Sequence, residues 1–197
     1  SYLPWLAARD RAADRAAWAR HLSGAAPTLL TPGHVPERGR TARIPVPLPD
    51  EVTEALTALG RRRGLTVNTL VQGAWGLLLA EHTGRVDVVF GATVSGRPAD
   101  LPGVEEMVGL FSNTLPVRLT VRRDEPVLAA LDRLQQDRLA LQDHEYAGLA
   151  DIERAVGSGS LFDTLVVFEN FANPGRGPEA PDELRVERAV HHGVTHY

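Results

Sequence analysis

Val86, Val88, Val89, Phe90, Ala92 and Val94 form a near-continuous apolar run between Gly84 and the turn Ser95-Gly96-Arg97-Pro98. A run so short and so apolar fits a central strand covered on both faces. Helical and strand-like segments alternate on either side of it. That order predicts an α/β sandwich around a mixed sheet.

Trp5, Leu6, Ala13, Ala17, Trp18 and Leu22 recur at helical spacing, which predicts one helix over 5–22, stopped by Ser23-Gly24 and Pro27. Residues 23–40 read as an irregular surface connection. Arg43-Ile-Pro-Val-Pro-Leu48 alternates like a strand, and its prolines confine it to an edge or an extended arm. Asp50 is positioned to cap a helix through Arg63, with Val52, Leu56 and Leu59 inward and Arg61-Arg62-Arg63 at the favourable C-terminal end. Thr66 caps the most hydrophobic helix, which runs to His82 and is expected to be buried on more than one side, with Trp75 in the core. Gly73 and Gly76 lower its helix propensity, so they predict close approach by another element.

Leu115–Val121 is the next strand, and Pro126 opens a long helix to Gln142 whose polar face is Gln135–Arg138. Tyr146–Val156 is a short helix or turn. Gly157–Ser160 is a flexible joint, and Phe162–Phe168 is a strong strand. Asn173–Pro181 reads as a loop, and Leu184–Val190 and Val194–Tyr197 read as further strands.

With 197 residues the chain suffices for one domain with its own core, or for half of a two-lobed unit. A net charge of −4 with interspersed signs argues against a nucleic-acid partner. The absence of cysteine excludes disulfides, thiolate catalysis and Cys-based zinc sites. No membrane span or signal pattern is visible, so a soluble, cytoplasmic protein is expected. Both ends read as cut from a longer chain.

Motif searches return no self-sufficient catalytic constellation. Gly91-Ala-Thr-Val-Ser95-Gly96 breaks the nucleophile-elbow spacing at Thr93, and no phosphate loop or dinucleotide fingerprint is present. Adjacent His191 and His192 would point to opposite faces of a strand, which disfavours a metal site with His196. His144 beside Asp143 reads as a helix-end residue. The candidate site lies at the strand ends, where α/β sheets collect ligands. Arg97 offers a rigid fork of donors to a carboxylate, phosphate or carbonyl, or else it and Ser95 hold the turn together. Asn113 and Thr114 either present an amide and a hydroxyl to a ligand channel or satisfy backbone groups of the long loop.

Leu65–Leu79, Val88–Pro98 and Val108-Gly-Leu-Phe-Ser-Asn-Thr-Leu-Pro-Val-Arg118 together resemble the C-terminal lobe of a condensation domain from a nonribosomal peptide synthetase. The resemblance covers essentially all of 1–197. Ser112 stands where an aliphatic residue is usual and Gly148 where a proline is usual, and Ser160-Leu-Phe-Asp163 lacks the arginine of its motif. The resemblance implies a chloramphenicol-acetyltransferase-like fold, one lobe of a two-lobed domain, with a tunnel between the lobes. It implies substrates tethered by phosphopantetheine to upstream and downstream peptidyl carrier proteins, a neighbouring adenylation domain, and no cofactor bound by this lobe. It places Ser95, Arg97, Asn113 and Thr114 along the tunnel. The family's catalytic His-His-x-x-x-Asp-Gly belongs to an N-terminal lobe that is missing here. His191-His192-Gly-Val does not reproduce it, so no catalytic residue is expected in 1–197 and the piece alone should be inactive. Two alternatives stay open: a degenerate condensation-like module that recruits a partner to a carrier-bound peptide, and a coenzyme A-dependent acyltransferase of the same fold.

Overall fold

The computed structural model describes residues 2–33, 42–98 and 100–169. The described elements are, in order, helices α1 (Tyr2–Ala7), α2 (Arg11–His21), α3 (Asp50–Arg63) and α4 (Val67–Thr83), strand β1 (Asp87–Val94), strand β2 (Asn113–Thr120), helices α5 (Val127–Leu141) and α6 (Leu149–Val156), and strand β3 (Leu165–Val166). The predicted strands at 184–190 and 194–197, the loop at 173–181 and the C-terminal histidines lie outside the described residues.

The apolar run is the centre of the sheet. β1 pairs antiparallel with β2, from Asp87 opposite Thr120 to Val94 opposite Asn113, and parallel with β3 at Gly91 and Ala92. The order β2-β1-β3 makes the sheet mixed, as expected. Val88, Val89 and Phe90 have no exposed surface. Their side chains alternate, so each face needs its own cover. Val88 and Phe90 pack with Leu79 of α4, Leu119 of β2, and Ala130 and Leu134 of α5. Val89 packs among Ala17, Trp18 and Leu22 around α2, Ile152 of α6, and Leu161 and Phe162. α3 adds a further layer through Leu56 and Leu59, which pack on Leu65, Leu70 and Leu131.

The glycines of α4 do what their helix cost suggested. A Cβ at Gly76 would lie 2.6 Å from Leu119 Cδ2, and one at Gly73 would overlap the end of the Leu131 side chain. The missing side chains let β2 and α5 approach the helix axis. α4 is covered on more than one side, by the sheet and α5 around Leu79 and by α3 around Leu70, but not around most of its circumference. Leu70, Gly73, Gly76 and Leu79 are buried, whereas Val71, Ala74 and Leu78 form an exposed stripe. Trp75 is half-buried against the core.

Four other boundaries differ from the sequence reading. The helix predicted over 5–22 is two helices, because the Asp10 carboxylate accepts from Ala12 N at 2.9 Å and Ala13 N at 3.0 Å and starts α2 afresh. Pro49, not Asp50, is the N-cap of α3, and Asp50 is its first helical residue. Residues 43–48 form no strand, and Ile44, Val46 and Leu48 are exposed. The strand expected over 162–168 pairs only at Leu165–Val166. The Thr28 hydroxyl already accepts from Val89 N at 2.9 Å, so Phe162 bridges to Thr28 instead of β1.

The turn from β2 into α5 is closed by a two-pronged ion pair. Arg133 meets Glu125 at 2.8 and 2.6 Å and also donates to Thr120 O at 2.6 Å. The Arg133 hydrogen bonds hold the Glu125 carboxyl down to about 2, from an ordinary value of 4.5. A depressed folded value means the stabilisation is present above the unfolded value and disappears as pH falls through the folded one. The melting-temperature difference between wild type and Glu125→Gln should therefore be largest at neutral pH and shrink steadily below about pH 4.5. A difference that stays constant with pH would remove the ion pair as its cause.

Candidate functional site

The segment after β1 folds around Arg97. Its guanidinium donates to Val104 O and, at 3.1 Å, to Met107 O, and it sits 4.2 Å over the Phe111 ring. Leu101, Val104 and Phe111 form a small core with Tyr2, Trp5 and Met107, so the loop carries its own hydrophobic centre and docks on α1. Trp5 Nε1 donates to Asp100 Oδ2 at 3.3 Å, and the Tyr2 and Phe111 rings are 4.7 Å apart. Gly96 has φ +60°, and a Cβ there would collide with the Phe111 carbonyl. The Gly96-Arg97 pair is thus the hinge that brings residue 111 back beside residue 96.

Asn113 opens β2. Its Nδ2 donates at 2.8 Å to both Glu145 O and Ala147 O, and its Oδ1 accepts from Thr114 N at 2.9 Å. The carboxamide is fully engaged with backbone, and it pins the 145–147 segment that follows α5. Thr114 pairs with Thr93 in the ladder.

A cavity of about 520 Å³ opens beside the end of β1. Ser95 and Arg97 line it from the strand end, Thr66 and Thr69 from the start of α4, and Gln135 and Arg138 from α5. Glu145, Tyr146 and Phe168 are among the other residues that line it. Of the four residues singled out in the sequence, Ser95 and Arg97 reach this cavity, while Asn113 and Thr114 stand behind it.

Glu145 and Tyr146 were not singled out in the sequence. Both lie past the end of α5, where no periodicity points a side chain in a given direction. Two signals were available: the resemblance of His144-Glu-Tyr-Ala-Gly-Leu149 to a family motif, and the polar face Gln135–Arg138, of which Gln135 and Arg138 line the cavity wall. Gln135 ties that wall together, accepting from Thr66 N at 2.9 Å and Thr69 Oγ1 at 3.0 Å and donating to Gly64 O at 2.5 Å. Burial pushes the Glu145 carboxyl above its ordinary value, opposed by the Arg138 charge, whose Nε lies 4.0 Å away. Burial likewise raises the Tyr146 phenol, and Arg9, 4.7 Å over its ring, opposes the shift.

His144 finds a carboxylate, but not that of its neighbour Asp143. Its Nδ1 is 2.7 Å from Asp14 Oδ1, and its carbonyl accepts from Trp18 Nε1 at 2.9 Å. Asp14 is buried, and the pair ties α2 to the end of α5. Among the described residues, no helix is long and apolar enough to cross a membrane.

The family model described as "Condensation domain" matches residues 1–191. Chondramide synthase cmdD of Chondromyces crocatus is 40% identical over 177 residues, covering 87% of this chain and 4% of that protein. Vanchrobactin synthetase VabF of Vibrio anguillarum is 35% identical over 193 residues, covering 98% of this chain and 7% of that protein. The first condensation domain of the calcium-dependent antibiotic synthetase, solved with substrate analogue 3a, superposes with a TM-score of 0.67 at 27% identity, over 81% of this chain and 35% of that one. The chain therefore spans only a few per cent of the length of these synthetases and about a third of the solved domain.

Proposed function

This chain belongs to the condensation-domain family, and from that premise we propose that it forms one lobe of a peptide-bond-forming domain in a nonribosomal peptide synthetase. Its cavity is one wall of the tunnel where donor and acceptor meet. Each substrate is a thioester on the phosphopantetheine arm of a carrier protein, one upstream and one downstream, with an adenylation domain as neighbour. The acceptor nitrogen attacks the donor thioester carbon. The C–N bond forms, the C–S bond breaks, and the donor carrier's thiol leaves with the proton lost by the nitrogen.

The observation that carries this reading is the family match over residues 1–191, read together with a polar cavity at the end of β1 that Ser95 and Arg97 line. The base that receives or orients the amine proton would come from a preceding lobe carrying His-His-x-x-x-Asp-Gly, because residues 1–197 contain no such motif.

Incubating the full-length parent with donor- and acceptor-loaded carriers should shift the acceptor carrier's mass by one donor acyl group. Residues 1–197 alone should give no product. Carrier binding without turnover by the intact parent would replace this reading with a recruitment module. Turnover of an acyl-coenzyme A in place of the donor carrier would replace it with an acyltransferase.

A further inference from the structure

Five of the polar side chains around the cavity, Thr66, Asn68, Thr69, Arg97 and Gln135, are committed to hydrogen bonds within the fold. Arg97 serves the Val104 and Met107 carbonyls, and Gln135 serves Thr66, Thr69 and Gly64. The Thr66 and Thr69 hydroxyls lie 2.8 Å apart, and Asn68 Oδ1 accepts from Gln72. Glu145 differs from all of these. It is the one carboxylate lining the cavity among the described residues. Its side chain is only 20% exposed, and its nearest cation, Arg138 Nε, stands at 4.0 Å, beyond hydrogen-bond length. The Glu145 oxygens are not among the buried polar atoms without a partner, so they stay accessible from the cavity to a donor that enters there. The backbone of Glu145 is held in place, because Asn113 Nδ2 donates to the carbonyls of Glu145 and Ala147 from behind at 2.8 Å.

We infer that the Glu145 carboxylate is the cavity's hydrogen-bond acceptor for the amino group of the incoming carrier-bound acceptor, with Asn113 as its positioning residue. The inference rests on the condensation reading above. An amine brings two or three N–H donors to a site that offers an unmatched acceptor, and a charge-assisted bond of this kind is among the stronger ones available. Held through one N–H, the nitrogen keeps its lone pair free to turn toward the donor thioester. The donor's thioester carbonyl offers the carboxylate no N–H. Burial raises the carboxyl's affinity for its proton, and the Arg138 charge opposes part of that rise.

The test uses the full-length parent with loaded carriers, titrating acceptor and donor separately. Glu145→Ala should lower kcat/KM for the acceptor carrier by about 10- to 100-fold, the range of a lost hydrogen bond to a charged group. The value for the donor carrier at saturating acceptor should change less than about threefold. Glu145→Gln, which keeps an acceptor oxygen and the side-chain shape, should restore part of the loss. Asn113→Ala should show the same acceptor-selective defect. Acceptor kinetics unchanged in folded Glu145→Gln and Glu145→Ala would overturn the inference and leave the condensation reading standing. Equal losses for donor and acceptor would also overturn it, since a structural defect affects both. A wild-type parent that forms no product overturns the reading and the inference together.

Discussion

Alanine at position 96 will destabilise this domain by about 2–5 kcal/mol, a large share of the 5–15 kcal/mol that holds a typical domain. Two costs add. Gly96 sits at φ +60°, where a side chain costs about 1–2 kcal/mol. Its Cβ would also overlap the Phe111 carbonyl oxygen and come within 2.8 Å of the carbonyl carbon, and crowding of that kind costs about 1–3 kcal/mol. The neighbour is backbone and cannot rotate away. Gly84 supplies the control: its φ is +67°, and an added Cβ would meet nothing within 4 Å. Urea unfolding should give Gly96→Ala the larger loss. Equal losses at 84 and 96 would mean that the close approach of residues 96 and 111 contributes nothing.

Removing the Arg97 guanidinium should release the loop that Gly96 begins. Arg97→Ala loses the bonds to Val104 O and Met107 O and the stack on Phe111. The expected cost is about 2–4 kcal/mol, from charge-assisted hydrogen bonds and a cation–π contact. Proteolytic cleavage between residues 98 and 111 should rise, and condensation by the parent should fall with it. Arg97→Lys decides what the side chain does. Lysine keeps a positive charge at the cavity wall but has no planar fork to span two carbonyls while stacking on a ring. If Arg97 acts by holding the loop, lysine should behave like alanine. Restoration of activity by lysine, with the loop still open to protease, would show that a charge facing the substrate is what matters.

Read from the sequence, Arg97 and Asn113 each had two roles, one toward a ligand and one toward the backbone. The structure shows both engaged with carbonyls: Val104 and Met107 for Arg97, Glu145 and Ala147 for Asn113. The residues with free hydrogen-bonding capacity, Glu145 among them, were not visible from sequence position. Asn113 and Glu145 are 32 residues apart, and His144 and Asp14 are 130 apart. No local pattern encodes such a pairing, because it depends on how helices pack after the chain has crossed the sheet.

The sequence by itself determined the layers. The apolar run of β1 requires cover on two faces, the glycines of α4 require close neighbours, and the strand–turn–strand motif from Thr93 to Arg118 places the chain in its family. These are properties of periodicity and of residues whose backbone freedom or bulk admits few environments. The tertiary structure decided three things that local pattern leaves open. It divided the first helix at Asp10, because a short carboxylate can take the backbone N–H groups that would have continued it. It shortened β3, because Thr28 reaches Val89 first. It placed Glu145 in the cavity while Asn113 holds the backbone behind it. Hydrogen-bonding groups take whichever partner packing brings within about 3 Å, and that choice is made only when distant segments meet.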